Sequence, residues 1–345
     1  MRILFITQKV DKDDDVLGVY HRWIEKLAEK AQKINVICLY RGRVELPENV
    51  RVFSLGKEGG HSRLKYLFNF YKFIWRLRKD YDKVFVHMNP EYIVLGGKFW
   101  KFWGKKIYFW YNHPLGSLKA RIAIMFSKVV FYTSPSAFAA RYKKALQMPV
   151  GIDAGMFRRI SEIQKKKNSI LCIGRISPIK YLDILIDAAL ALDNKNIDFI
   201  LTIAGSPSKQ NEYEYQEKIK KQAEPLVRKG KIFFIGSVPN YKAPELHNAH
   251  EICVNLTPSG SFDKTIVEAM ACESLVVASN DAIADILPQS LRFREKDALD
   301  LTRALADAFR LSDEEKRNYG IKFRAYVMAK HDLNMLVTKL TKVLG

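Results

Sequence analysis

Cysteine is scarce. There are four in 345 residues, Cys38, Cys172, Cys253 and Cys272, and no two form a CxxC pair. That spacing argues against a disulfide framework or a cysteine-built metal site and fits a reducing cytoplasm. Long apolar runs are also missing. No stretch of about 18 residues is free of charge, so no membrane-spanning helix is expected. The opening MRILFITQKVDKDDD meets acidic residues early and lacks a small-residue cleavage site, unlike a secretory leader. Acidic side chains are outnumbered, 37 against 57 basic ones, for a net charge of +20. The shortage is local: residues 1–165 hold 31 basic and 14 acidic side chains, and the remainder is nearly balanced. A basic half beside a neutral one points to an anionic surface or ligand at the first half.

What is present is an ordinary globular composition, 48% hydrophobic and 27% charged, long enough for two cores. Apolar strand-like runs alternate with helical patterns. MRILFIT (1–7), INVICLY (34–40), KVFVHM (83–88), KIYFWYN (106–112) and KVVFYTS (128–134) read as strands. Helices are expected after the 8–17 loop, with Trp23, Ile24, Leu27, Ala28 and Ala31 on one face, and over 63–81. A polar stretch, Arg158–Asn168, reads as a linker. A second series follows: SILCIGR (169–175), DFILTIAG (198–205), KIFFIG (231–236), EICVNLT (251–257) and SLVVAS (274–279). The expectation is an α/β protein of two doubly wound, Rossmann-like domains facing a cleft. They would span 1–160 and 169–330, with an amphipathic helix over 331–345 packing back on the first.

Two segments suit phosphate. In GRISPIK (174–180) a strand-end glycine, Gly174, admits a ligand close to the backbone, and Arg175 and Lys180 converge across a turn. Two surface cations on a solvated turn would look the same. TPSGSFDKTIVEAMACESLVVASN (257–280) reads strand, small-residue loop, helix, strand. A helix starting near Asp263 would offer amides to phosphate, with Lys264 and Thr265 at its positive end and Glu268 inside it. Equally, Asp263 could cap those amides itself and leave Glu268 as an exposed helix residue.

GRISPIKYLDILIDAA, GSVPNYKAPELHNAHEICVNLTPS and IVEAMACESLVVAS, in this order over most of 169–285, resemble the donor half of the family-4 retaining glycosyltransferases of GT-B fold (glycosyl transferases group 1). A strand leading to Gly18, WYNHPLG, TSPSAF and GIDAGMF extend the likeness through the first half. The resemblance implies transfer of a sugar from a nucleoside-diphosphate sugar, UDP- or GDP-linked, to a hydroxyl acceptor. The first domain would bind the acceptor and the second the donor. Arg175 and Lys180 would neutralise the diphosphate, Thr265 and Ile266 would give it backbone amides, and Glu268 would hold the ribose. Gly236, Ser237 and Val238 would enclose the base, Gly18 would let a loop close on the sugar-phosphate, and His113 would reach the transferred sugar. Retention would follow front-face attack, with the leaving phosphate taking the acceptor proton. No metal or other cofactor would be needed, because cations and helix-end amides stabilise the departing diphosphate. The acidic DKDDD (11–15) reads as a solvated loop instead of a metal site. Two positions depart from the family pattern: Gly260 where a glutamate is usual, which leaves the grip on the donor sugar open, and Tyr181 where glycine is common.

Among the histidines, His21 reads as a cap, a packing residue or a substrate contact. His87 ends a strand, His247 and His250 read as helix surface, and His331 as part of a turn. Residues 63–106 interleave 11 Lys/Arg with 13 aromatics against three acids. Such a mixture suits an anionic membrane surface. It implies a peripheral enzyme on the cytoplasmic inner face of the membrane, acting on a lipid-linked or membrane glycan of the cell envelope. A nucleic-acid-binding surface is the rival, without a recognisable module. An inactive nucleotide-sugar-binding scaffold is another.

Overall fold

In the computed structural model, residues 1–260 and 262–345 are described. They divide into two units, Met1–Gly151 with Leu333–Gly345, and Ile152–Asp332. The first begins with β1 (Arg2–Val10), α1 (Gly18–Ala28), β2 (Lys33–Arg41), β3 (Val50–Ser54) and α2 (Arg63–Arg76). It continues through β4 (Lys83–His87), α3 (Pro90–Phe102), β5 (Lys106–Trp110), α4 (Leu118–Phe126), β6 (Val129–Tyr132) and β7 (Ala145–Gln147). All seven strands are parallel, in the order β3-β2-β1-β4-β5-β6-β7.

Helices cover both faces of this sheet, which is why its strands are continuously apolar. Successive residues serve opposite faces. Leu4 and Ile6 join one core cluster with Phe70, Ile74, Tyr92 and Trp100 from α2 and α3. Ile3 and Phe5 join the other with Val19, Trp23 and Ile24 from α1.

The second unit contains β8 (Lys166–Ile173), α5 (Leu182–Asn194), β9 (Ile200–Ala204), α6 (Gln210–Arg228), β10 (Ile232–Gly236) and α7 (Ala243–Ala249). After these come β11 (His250–Asn255), α8 (Lys264–Ala271), β12 (Leu275–Ala278), α9 (Ala298–Arg310) and α10 (Asp313–Lys330). Its parallel sheet has the order β10-β9-β8-β11-β12. The last helix, α11 (Leu333–Leu344), belongs to the first unit, where Leu336 and Leu340 are buried in the cluster around Trp23. The change of unit falls at Gly151, ahead of the polar 158–168 stretch. That stretch is held within the second unit, because Arg159 and the Ile160 amide both donate to Asn248 Oδ1 and the Asn168 amide donates to Glu251.

In each sheet the direction of strand addition reverses once, between β1 and β4 in the first and between β8 and β11 in the second. The carboxyl ends at such a reversal leave a crevice that neighbouring loops do not fill, the usual ligand position in open α/β sheets.

Candidate phosphate-binding site

At the carboxyl ends of β8, β9 and β10 stand three glycines, Gly174, Gly205 and Gly236. The Gly174 amide donates to Ala204 O and the Gly205 amide to Gly236 O. A Cβ on Gly205 would lie 1.9 Å from Gly174 O, so the approach of these turns requires its absence. Arg175 follows directly, and a single 3-10 turn, Pro178–Lys180, presents Lys180. Tyr181 then takes φ +47° as it leads into α5. This left-handed conformation explains why glycine suits the position and why tyrosine there stores strain.

Both cations already have carboxylate partners. Arg175 Nε lies 3.3 Å from Glu212 Oε1, and Glu212 is buried while accepting from the Ser208 amide and hydroxyl. Burial opposes its ionisation, but the Ser208 bonds and Arg175 outweigh it and hold its pKa below the usual value. Lys180 Nζ donates to Thr257 Oγ1 at 2.8 Å and forms an ion pair with Asp263.

Asp263 is the hub. It caps α8 by accepting from the Thr265 amide. It also accepts from Thr257 Oγ1 at 2.5 Å and Asn255 Nδ2 at 2.9 Å. Burial again disfavours charge, yet Lys180 and these donors prevail and keep the carboxyl well below the ordinary range. The Ile266 amide is turned to Asp263 O. Lys264 and Thr265 open the helix as expected, but a carboxylate of the chain itself occupies the anion-favouring end.

Glu268 is 4% exposed. The alternative that left it exposed on the helix surface is therefore excluded: Glu268 lies on a buried part of α8. Asn240 Nδ2 donates to Glu268 Oε1 at 3.0 Å. Burial, only partly offset by this bond, pushes its carboxyl up to about 7. Asn240 follows Gly236, Ser237 and Val238, so this bond ties the β10 loop to α8.

Lys180, Thr265, Ile266 and Glu268 thus gather around the β8/β11 reversal, with Arg175 and the 236–238 loop alongside. Sequence reasoning missed Glu212, Asn240, Asn255 and Thr257. Of these, only Asn255 and Thr257 carried a local signal, two short polar residues at a strand's carboxyl end.

Gly18 and His113 belong to the first unit. Gly18 is buried at the start of α1, its amide donating to Asp14 O. His113 is exposed in the loop after β5, its Nδ1 3.1 Å from the Leu115 amide. His21 is a packing residue: it is buried and its Nε2 accepts from the Glu45 amide. His87 ends β4 against Tyr20, ring centroids 4.0 Å apart. His331 sits in a buried turn after α10. His247 and His250 are not helix surface. His247 is fully buried and its pKa is pushed down to about 3, and His250 opens β11 with Nε2 2.8 Å from Thr202 Oγ1. In the DKDDD segment, Asp11 and Asp14 accept loop amides and pair with Lys9. Among the described residues, no cluster of His, Cys, Asp and Glu has an arrangement able to hold a metal ion.

Residues 154–288 match the family model described as Glycosyl transferases group 1. The resemblance read from the sequence is borne out at that level. No match was found among curated protein sequences. Among solved structures, Alr3699/HepE of Anabaena, crystallised with UDP and glucose, is similar with TM-score 0.79 at 16% identity, over 100% of this chain and 99% of that one. Sucrose-phosphate synthase of Thermosynechococcus elongatus gives 0.78 at 17%, over 99% and 98%. WaaG, a glycosyltransferase involved in lipopolysaccharide biosynthesis, gives 0.71 at 15%, over 99% of both chains. At these identities the likeness establishes the fold, that of the two-domain GT-B glycosyltransferases.

Proposed function

We propose that this protein is a retaining, metal-independent glycosyltransferase. It moves a sugar from a UDP- or GDP-linked donor held by the second unit to a hydroxyl of a lipid-linked or membrane glycan held by the first. The observation that carries the reading is the meeting of Lys180 with the start of α8 at the β8/β11 reversal, inside the segment that matches group 1 glycosyl transferases. Diphosphate entering there exchanges with Asp263 and Glu212 for the two cations. The leaving group then gathers its charge against Lys180, Arg175 and the first α8 amides, which favours the transition state over the bound donor. Glu268 takes the ribose hydroxyls, and the 236–238 loop takes the base.

A membrane role for the first unit is supported by the outer face of α2 and α3. Phe68 is 61% exposed, Trp75 56% and Phe102 86%. Lys72 and Arg76 stand beside Phe68, Tyr71, Trp75, Phe99 and Trp103 around an apolar groove of about 600 Å³. Aromatic and cationic side chains so mixed suit the anionic inner leaflet. Among the described residues no helix is long and apolar enough to cross a membrane.

The test is thermal stabilisation by UDP and GDP in excess EDTA. At least one nucleotide is expected to raise Tm, and Arg175→Ala and Lys180→Ala each to cut the shift by more than half. A shift that persists unchanged in both variants contradicts the reading.

A further inference from the structure

The first unit has its own reversal, between β1 and β4, and a cavity of about 460 Å³ lies there. Gln8 lies along β1 two residues past Ile6, whose partner on β4 is Val86, and Asn89 begins α3 just beyond β4. Both line the cavity. Its remaining walls are mostly apolar, with Leu39 and Leu55 from the β2 side, Leu67 and Phe70 from α2 and Leu95 from α3, and two charged side chains stand among them, Arg63 of α2 and Glu91 of α3.

Asn89 is unusual. It holds the N-cap position of α3 yet makes no capping hydrogen bond, although capping is the common use of asparagine there. Its Nδ2 is buried and has no hydrogen-bond partner. A buried donor without a partner forfeits the hydrogen bond that water would give it, which is costly. The terminal torsion of asparagine is broad, so a modest turn presents this amide to the cavity. Met88, immediately before it, is held at φ +66°, a strained conformation for a side chain of that size. An apolar pocket with a few convergent polar groups is the common form of a small-molecule site.

We infer that this cavity binds an amphiphile. Its apolar chain packs against the leucine and aromatic walls, and its polar head, a hydroxyl-bearing or sugar group, accepts a hydrogen bond from Asn89. As a subsite for the acceptor, the cavity rests on the transferase reading above; as a binding site for a chain-bearing amphiphile, it stands on its own geometry. The cavity is separate from the outer α2/α3 groove. Phe70 and Leu67 of α2 face the one, Phe68 and Trp75 the other.

Calorimetric titration with octyl β-glucoside below its micelle concentration tests the inference, with methyl β-glucoside as the chainless control. Octyl glucoside is expected to bind at least tenfold tighter than the control. Asn89→Ala is expected to weaken it about tenfold, the scale of one hydrogen bond, and Leu67→Trp, which adds bulk to the α2 wall, to abolish it. UDP and GDP titrations of the same samples report separately on the second unit and on folding. Amphiphile binding no better than the control overturns the inference. So does binding untouched by both variants, or binding lost in Trp75→Glu and kept in Leu67→Trp. A sample that binds octyl glucoside through Asn89 but neither UDP nor GDP removes the transferase reading and leaves the site.

Discussion

Asp263 decides the electrostatics of the second unit. A carboxylate that caps α8 and pairs with Lys180 lies where a phosphate would be received. Like charges a few ångströms apart repel by about 1–4 kcal/mol where water still screens them, so Asp263 competes with any diphosphate. Asp263→Asn keeps an oxygen for the Thr265 amide and removes the charge. Calorimetry is expected to show UDP binding tightened by about tenfold; weaker binding would show that Asp263 assists the ligand. Glu268 makes the opposite trade. Its carboxyl titrates near 7 in the folded chain against 4.5 for a free one. The folded state therefore retains the proton that the unfolded state loses, and stability falls as pH rises from about 4.5 to 7. Glu268→Gln can still accept from Asn240 and removes this penalty, on the order of 2–4 kcal/mol at pH 8. Thermal unfolding is expected to show a higher Tm than wild type at pH 8 and near equality at pH 4, alongside weaker UDP binding. An equal or lower Tm at pH 8 refutes the assignment.

At the scale of elements, α2 and α3 turn one side to the sheet and leave Phe68, Trp75 and Phe102 outward. Co-sedimentation with vesicles rich in anionic lipid is expected at low salt, to fall several-fold in Trp75→Glu with Phe102→Glu, and to fade at high salt. Binding equal on neutral vesicles would contradict the electrostatic part. The helix pattern over 63–81 was legible, but its end was not: α2 stops at Arg76, with Leu77 as cap. The strands β3 and β7 left no clear trace, since an edge strand of five residues and one of three give little periodicity. His247 read as surface because a seven-residue helix does not reveal which face Phe157, ninety positions earlier, will cover. The strand ends were legible, with Arg175 and Lys180 following the end of β8, and so was the helix that carries Glu268. Their partners were not, because Glu212 and Asp263 meet these cations only through tertiary packing.

At the scale of the whole molecule, two parallel sheets each reverse once, and each reversal carries a distinct chemistry. The second unit offers cations, amides and a buried carboxyl; the first offers an apolar cavity with a spare amide. The charge follows the same division, with nearly all the excess in residues 1–165. Diphosphate binding at the β8/β11 reversal can be seen in a crystal soaked with UDP or GDP. Density for the diphosphate is expected against Arg175 and Lys180, with the Lys180–Asp263 pair opened and Glu268 on the ribose. A nucleotide bound elsewhere, with that pair intact, would contradict it.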